Sequence, residues 1–315
     1  MIKISIIIPM FNCSNTIKTL IYSIEKQSVP AYEVILINDG STDNTLEIVY
    51  RLCESKKNYV ILNQENKGAP VARNKGIEYA TGEYLYFCDS DDILDVNTLK
   101  ILSNAMICEN ADLVVGNVSH FENSGKIIKT YKACTYRDKV LGIYRFYKCD
   151  PIPGSKLYKK SIIDKYQIWF DEVKIGQDLN FYLKYLLVSK KNTEVNKTVY
   201  YYRHTDNSIS RTYKISNIMD IRKSMEYIFE FLDKNKLING NEIKIRLEYI
   251  KLGNYVWQLR KYKCFKNEDY QILRKSLCED VKLKKKFNLL FCISNMPELI
   301  EFYLIKFLNL NIRYL

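Results

Sequence analysis

The segment YLYFCDSDDILD (84–95) carries four carboxylates, Asp89, Asp91, Asp92 and Asp95, directly behind an apolar, aromatic run. Carboxylates packed this closely repel one another unless something positive sits among them. A hard divalent cation, Mg²⁺ or Mn²⁺, is one such partner, held by one or two carboxylates together with water and substrate phosphate oxygens. On an extended chain Asp89 and Asp91 face one side and Asp92 the other. The alternative is structural: Asp91 or Asp92 starts a helix over ILDVNTLKIL, where the helix dipole favours an acid. The short acidic motif alone does not separate these readings.

The elements that must position this cluster are legible over residues 1–115. Short β-branched runs, ISIIIP (4–9), EVILIND (33–39), YVILNQ (59–64), EYLYFCD (83–89) and DLVVGN (112–117), alternate with segments of helical periodicity such as 15–27 and 42–54. That rhythm predicts an α/β fold with a mostly parallel sheet flanked by helices. Such sheets bind ligands beyond the carboxyl ends of their strands. The residues there are polar or acidic: Pro9–Asn12, Asn38–Ser41, Asn63–Gly68 and Asp89–Asp92. Residues 116–215 are less regular, with a helix predicted from Asp178 to about Val188 and a strand over EVNKTVYYYR (194–203); beyond about 215 the periodicity is helical.

Five blocks, IIIPMFNCSNTI (6–17), INDGSTDNT (37–45), NKGAPVARNKGI (66–77), TGEYLYFCDSDD (81–92) and FDEVKIGQDLNFYLKYL (170–186), resemble glycosyltransferase family 2 in order and spacing, and the likeness covers most of residues 3–211. The resemblance implies the GT-A fold, a Rossmann-like mixed, mostly parallel sheet, and an inverting transferase that uses a nucleotide-sugar donor, a UDP-sugar first among them. The domain layout it implies is a catalytic domain over 1–213, with a nucleotide-binding half (1–117) and an acceptor half (118–213), followed by a basic helical subdomain over 214–315. By the same resemblance, Asp39 accepts a hydrogen bond from the base in a pocket walled by Pro9, Phe11 and Asn12. Gly68 allows close backbone approach, and Arg73 and Asn74 lie near the base or the diphosphate. Asp91 is the expected metal ligand, Asp89 contacts ribose or shares the ion, and Asp178 is the catalytic base. Arg203, His204 or Arg211 would touch the diphosphate, with His204 alternatively a third metal ligand. The family carries Glu-Asp where this chain has Gln177–Asp178, which puts any auxiliary role of the first acid in doubt. Lys156 and Tyr158 match a block that lines the active site, and could equally be structural.

The acceptor the resemblance implies is a glycan or lipid-linked glycan, in capsular, exopolysaccharide or other cell-surface assembly. Charge fits an anionic partner: net charge is +12, and residues 214–315 hold 20 Lys+Arg against 12 Asp+Glu. The Lys cluster at 282–286, beside broad apolar faces, suits peripheral contact with an anionic inner leaflet; a solvated face over a core or a homodimer contact reads the same pattern. No stretch reaches the 18 or so apolar residues of a spanning helix. The nine cysteines lack CxxC or zinc-ligand spacing, and the N-terminus MIKISIIIP reads as a strand, so a cytoplasmic protein is expected. Two rivals remain. A metal-dependent nucleotidyltransferase would need a glycine-rich, basic phosphate loop after its first strand, which is missing here; a nucleic-acid-binding protein is disfavoured because the expected cleft is acidic.

Overall fold

The computed structural model describes residues 2–133, 151–204 and 215–237. The chain divides into two compact units, Met1–Arg211 and Thr212–Leu315. In the first, β1 (Ile4–Met10) and β2 (Glu33–Asp39) are each buried along their whole length. Unbroken apolar runs of this kind are what a strand covered on both faces requires. With β3 (Tyr59–Gln64) and β4 (Tyr84–Phe87) they form four parallel strands in the order β3-β2-β1-β4. Helices α1 (Ile17–Glu25), α2 (Thr45–Cys53) and α3 (Ala69–Tyr79) make the crossovers.

Pro9 lies inside β1 without breaking it. Ile7 directs its carbonyl to the Cys88 N–H at the end of β4, and β4 pairs with β1 no further than Ile7. Pro9, two residues on, faces the same side, where no strand remains to miss its N–H. Helix α3 lies close on the sheet because residue 76 is glycine: a Cβ there would meet Ile7 Cγ2 at 2.3 Å and Ile37 Cδ1 at 3.1 Å.

Beyond β4 the sheet becomes mixed. The strand β5 (Ile93–Leu94) and α4 (Thr98–Cys108) lead to β6 (Leu113–Phe121), which pairs with the edge strand β7 (Ile127–Tyr131). A short strand, β8 (Lys156–Lys159), inserts antiparallel between β4 and β6. Helices α5 (Lys160–Tyr166) and α6 (Gln177–Val188) follow, and β9 (Asn192–Arg203) runs parallel to β6 and antiparallel to β5. The sequence pattern anticipates the parallel half; four-residue β8 and two-residue β5 are too short to show a period.

Chain order turns back between β1 and β4, since β2 and β3 extend to one side of β1 and β4 lies on the other. The carboxyl ends of those two strands are therefore the switch point at which open α/β sheets leave a crevice. Phe11 and Asn12 follow β1 there, and the acidic segment follows β4.

Lys156 and Tyr158 belong to the interior. Lys156 Nζ donates to the Ile152 carbonyl at 2.6 Å, and the Tyr158 ring packs edge-on against Phe87, Phe181 and Tyr185. Cys13, Cys53 and Cys88 are buried free thiols and Cys108 is an exposed one. In the second unit the described residues form α7 (Ile215–Lys234), with Ser224, Ile228, Phe231 and Leu232 buried at helical spacing. The basic cluster at 282–286 and the helices expected after α7 lie outside the described residues, as does Arg211. Among the described residues no helix is long and apolar enough to cross a membrane.

Candidate active site

The acidic segment is a turn, not the extended chain the alternation argument assumes. β4 stops at Phe87, and Asp92 N–H closes on the Asp89 carbonyl at 3.2 Å. Neither Asp91 nor Asp92 starts a helix either, because β5 intervenes and α4 begins at Thr98. The four acids separate by environment. Asp95 Oδ1 accepts from the Asn97 N–H just before α4. Asp92 is 1% exposed, with Oδ2 accepting from the Tyr200 hydroxyl and Oδ1 from the Arg203 N–H, both at 2.7 Å. Burial, then the charges of Asp91 and Asp89, push its carboxyl well above the usual range. Burial and next Asp89 push Asp91 up to about 6. These are carboxylates short of positive charge.

Arg73 connects this turn to the other end of the crevice. It lies in α3, 3% exposed, with its guanidinium 5.1 Å from the Phe170 ring centre. Nη2 donates to Asp89 Oδ1 at 2.6 Å, while Nη1 donates to Asp178 Oδ1 at 3.1 Å and Gln177 Oε1 at 3.2 Å. Burial opposes its charge, but Asp178 and Asp89 more than restore it, so its pKa is raised. Its Nε–H is buried and has no acceptor among the described residues. One guanidinium thus binds two carboxylates that are 89 residues apart in the chain.

Asp178 sits in the first turn of α6, where the helix dipole favours its charge, and its side chain is 31% exposed. The approach to α6 is tied down. Asn74 donates Nδ2–H to the Phe170 carbonyl at 2.8 Å and accepts the Phe170 N–H at 2.9 Å, as a second strand would. Phe170 stacks on Phe181 with ring centres 4.0 Å apart, and Asn180 and Lys184 hold the Asp171 carboxylate. Both polar ends of Asn74 are engaged in this support.

At the other side of the crevice Asp39 is 3% exposed. Its Oδ1 accepts from Gln64 Nε2 and Lys67 N–H, and its Oδ2 from Gly68 N–H, each at 2.8 Å. A carboxylate accepts about four such bonds, so one acceptor position remains on Oδ2. Gly68 has φ of 90°, a left-handed conformation that only glycine takes readily. Asn12 Oδ1 accepts from the Thr42 N–H at 2.8 Å and the Asp43 N–H at 3.3 Å, pinning the β1 and β2 loops together; Phe11 is 46% exposed and Pro9 is buried.

Arg203 and His204 lie behind the acidic turn. Arg203 Nε donates to the Asp91 carbonyl at 2.7 Å and Nη1 to Asn123 Oδ1 at 3.2 Å, with the guanidinium over the Phe121 ring. His204 Nε2 lies 2.8 Å from His120 Nδ1, one ring donating to the other. Among the described residues no three His, Cys, Asp or Glu side chains converge as a metal cage. A cation between Asp89 and Asp91 would therefore need phosphate and water oxygens to complete its shell, as Mg²⁺ commonly does. The residue missed by sequence reasoning is Tyr200, whose hydroxyl also accepts the Asp89 N–H at 3.0 Å; nothing in the run of three tyrosines at 200–202 singles it out. A cavity of about 480 Å³ lined by Thr81, Gly82, Tyr84, Lys159 and Lys160 lies at the amino end of β4, at the edge opposite this cluster.

A switch-point crevice with an acidic turn on one side and an arginine-tethered carboxylate on the other defines a mixed α/β protein of the GT-A type. Residues 5–167 match the model of glycosyl transferase family 2, and the chain belongs to that family. It is 31% identical over 67% of its length to the glycosyltransferase GlyA of Streptococcus pneumoniae, spanning 32% of that protein. It is 28% identical to GlyG of the same organism, over 89% of this chain and 95% of GlyG. The crystal structure of residues 1–349 of Staphylococcus aureus TarS in complex with UDP-GlcNAc superimposes with a TM-score of 0.60, covering 82% of this chain and 81% of that one at 23% identity. That likeness is one of fold.

Proposed function

We propose that the chain is an inverting glycosyltransferase that moves a sugar from a nucleotide-sugar donor, a UDP-sugar first among candidates, to a hydroxyl of a glycan acceptor in cell-surface glycan assembly. The observation that carries this reading is Arg73 joining Asp89, at the acidic turn, to Asp178, at the start of α6. Arg73 donates to Asp178 Oδ1 and so orients the carboxylate that would take the proton of an attacking hydroxyl. With one base on one side of the sugar, the hydroxyl reaches the anomeric carbon opposite the leaving group, and the linkage inverts.

The acids at the turn suit a divalent cation, since Asp91 is half-buried, repelled by Asp89 and raised to about 6. Asp91 would hold it with Asp89 beside it. When bound, such an ion neutralises charge on a departing diphosphate, which removes the need for a general acid. The remaining acceptor position on Asp39 Oδ2 suits the imide N–H of uracil. Gly68 and the exposed Phe11 leave room for the base, and the Lys-rich segment 282–286 suits a membrane-borne, lipid-linked acceptor.

The test is a panel of nucleotide sugars screened for thermal stabilisation with Mn²⁺ and again with EDTA, followed by product analysis of the hit. Stabilisation by one nucleotide sugar and release of nucleoside diphosphate support the reading. Release of pyrophosphate would instead indicate nucleotidyl transfer, and a folded protein that binds no nucleotide sugar would refute both.

A further inference from the structure

We propose that Tyr200, Asp92 and Arg203 act as positioning residues which hold the Asp89–Asp92 turn in the shape that presents Asp89 and Asp91 to the donor's diphosphate and its cation. The proposal rests on the reading above of those two acids. Every residue of the turn is fastened from outside. Asp89 N–H donates to the Tyr200 hydroxyl at 3.0 Å, and that hydroxyl donates onward to Asp92 Oδ2 at 2.7 Å. The Ser90 carbonyl accepts from Thr16 Oγ1 at 3.1 Å, and the Asp91 carbonyl accepts from Arg203 Nε at 2.7 Å. Asp92 Oδ1 accepts the Arg203 N–H at 2.7 Å. Three of the four residues are thus held by β9; the Asp91 side chain takes no part in these bonds, and the Asp89 side chain is held from α3 by Arg73.

The phenol itself has no room to move. Tyr200 is fully buried, and its ring lies so close to Gly154 that a Cβ there would sit 2.2 Å from the Tyr200 Cζ. The pairing of Leu94 with Tyr200 and Ile93 with Tyr201 sets the height of β9 against the turn, which gives two-residue β5 a purpose. Arg203 then holds the turn from behind, through the Asp91 carbonyl, and acts on the diphosphate only indirectly. Groups that orient metal-binding side chains in this way commonly change metal affinity by about 10- to 100-fold when removed.

The test compares the wild type with Tyr200→Phe, which keeps the ring over Gly154 and deletes the hydroxyl. The readout is the gain in UDP affinity on adding Mn²⁺, measured by calorimetry below the melting temperature of each variant, with uridine binding as the metal-independent control. The expected result is a gain reduced about tenfold or more, with uridine affinity unchanged. Arg203→Met, which keeps the stem over Phe121, is the second variant should Tyr200→Phe not fold; it should shrink the same gain and leave UDP binding in EDTA unaltered. An undiminished gain in a folded variant overturns the proposal alone. A wild type in which Mn²⁺ adds nothing to UDP binding overturns it together with the metal reading of Asp89 and Asp91.

Discussion

Replacing Asp178 by asparagine separates its proposed proton-accepting role from its structural one. The amide keeps an oxygen where Asp178 Oδ1 now accepts from Arg73 Nη1 at 3.1 Å, so the guanidinium retains a partner on that side. What changes is the charge on that partner. Hydrogen bonds to ionised groups contribute about 1.5–3 kcal/mol and neutral ones about 0.5–1.5, so the cost to stability is about 1 kcal/mol. With Asp178 about a third exposed and Arg73 still paired to Asp89, that figure is an upper value, and the melting temperature should fall by no more than about 4 °C. Catalysis should respond far more strongly. A positioned general base is worth about 10²–10⁴ in rate, and an amide cannot replace it. At 1.36 kcal/mol per decade this raises the barrier by about 3–5 kcal/mol. The assay is steady-state release of nucleoside diphosphate in the presence of acceptor, beside a titration of UDP against both proteins. The expected outcome is a kcat reduced at least 100-fold with UDP affinity within about twofold of wild type. A variant that keeps more than about a tenth of kcat would show that Asp178 is not the base, and a parallel loss of UDP affinity would make it a donor-binding group.

Asp91→Asn should abolish metal-dependent transfer and leave the fold intact, and EDTA should abolish transfer by the wild type; an activity assay with and without Mn²⁺, beside a calorimetric Mn²⁺ titration of the variant, checks both. Arg73→Met leaves Asp89 and Asp178 without their shared cation. Removing one partner of a buried ion pair costs about 3–5 kcal/mol, and the lower end applies because the two acids are 28% and 31% exposed. Chemical denaturation measures it, and an unchanged midpoint would mean that the guanidinium is not what joins the two sides. Asp43 supplies a pH test at the edge of the crevice. Burial works against its ionisation, but hydrogen bonds from Thr45 and Ser14 outweigh it and bring its carboxyl from 3.8 to about 2. The unfolded chain binds the proton first as pH falls, so the stability Asp43 contributes is complete above about pH 4 and disappears toward pH 2. The difference in melting temperature between wild type and Asp43→Asn should therefore shrink over that interval; a constant difference would contradict it.

Much of this site is local information. Strand β1 is announced by ISIIIP and β2 by EVILIND because strands buried on both faces need uninterrupted apolar runs, and such runs are visible in one dimension. The acids collect after β4 because apolar strands end where polar groups begin. Local pattern fails at Asp89–Asp92, because strand alternation ends at Phe87 and the chain turns there. Asn74 and Arg203 show a second limit. Their residue types suit a nucleotide, and nothing in them announces that Asn74 also holds the Phe170 backbone and Arg203 the Asp91 carbonyl. A side chain's chemistry is written in the sequence; which of several suitable partners it meets is not.

The sequence by itself determined the strand ends, the carboxylates that gather beyond them and the family whose blocks they form. Only the tertiary structure decided that Asp92 is a buried support while Asp91 is not, and that Arg73 faces Asp89 and Asp178 together. The reason is that partners separated by 16, 105 and 108 residues meet through the packing of α3, α6 and β9 around one crevice. Burial and charge at each acid follow from that packing, and no spacing along the chain encodes it.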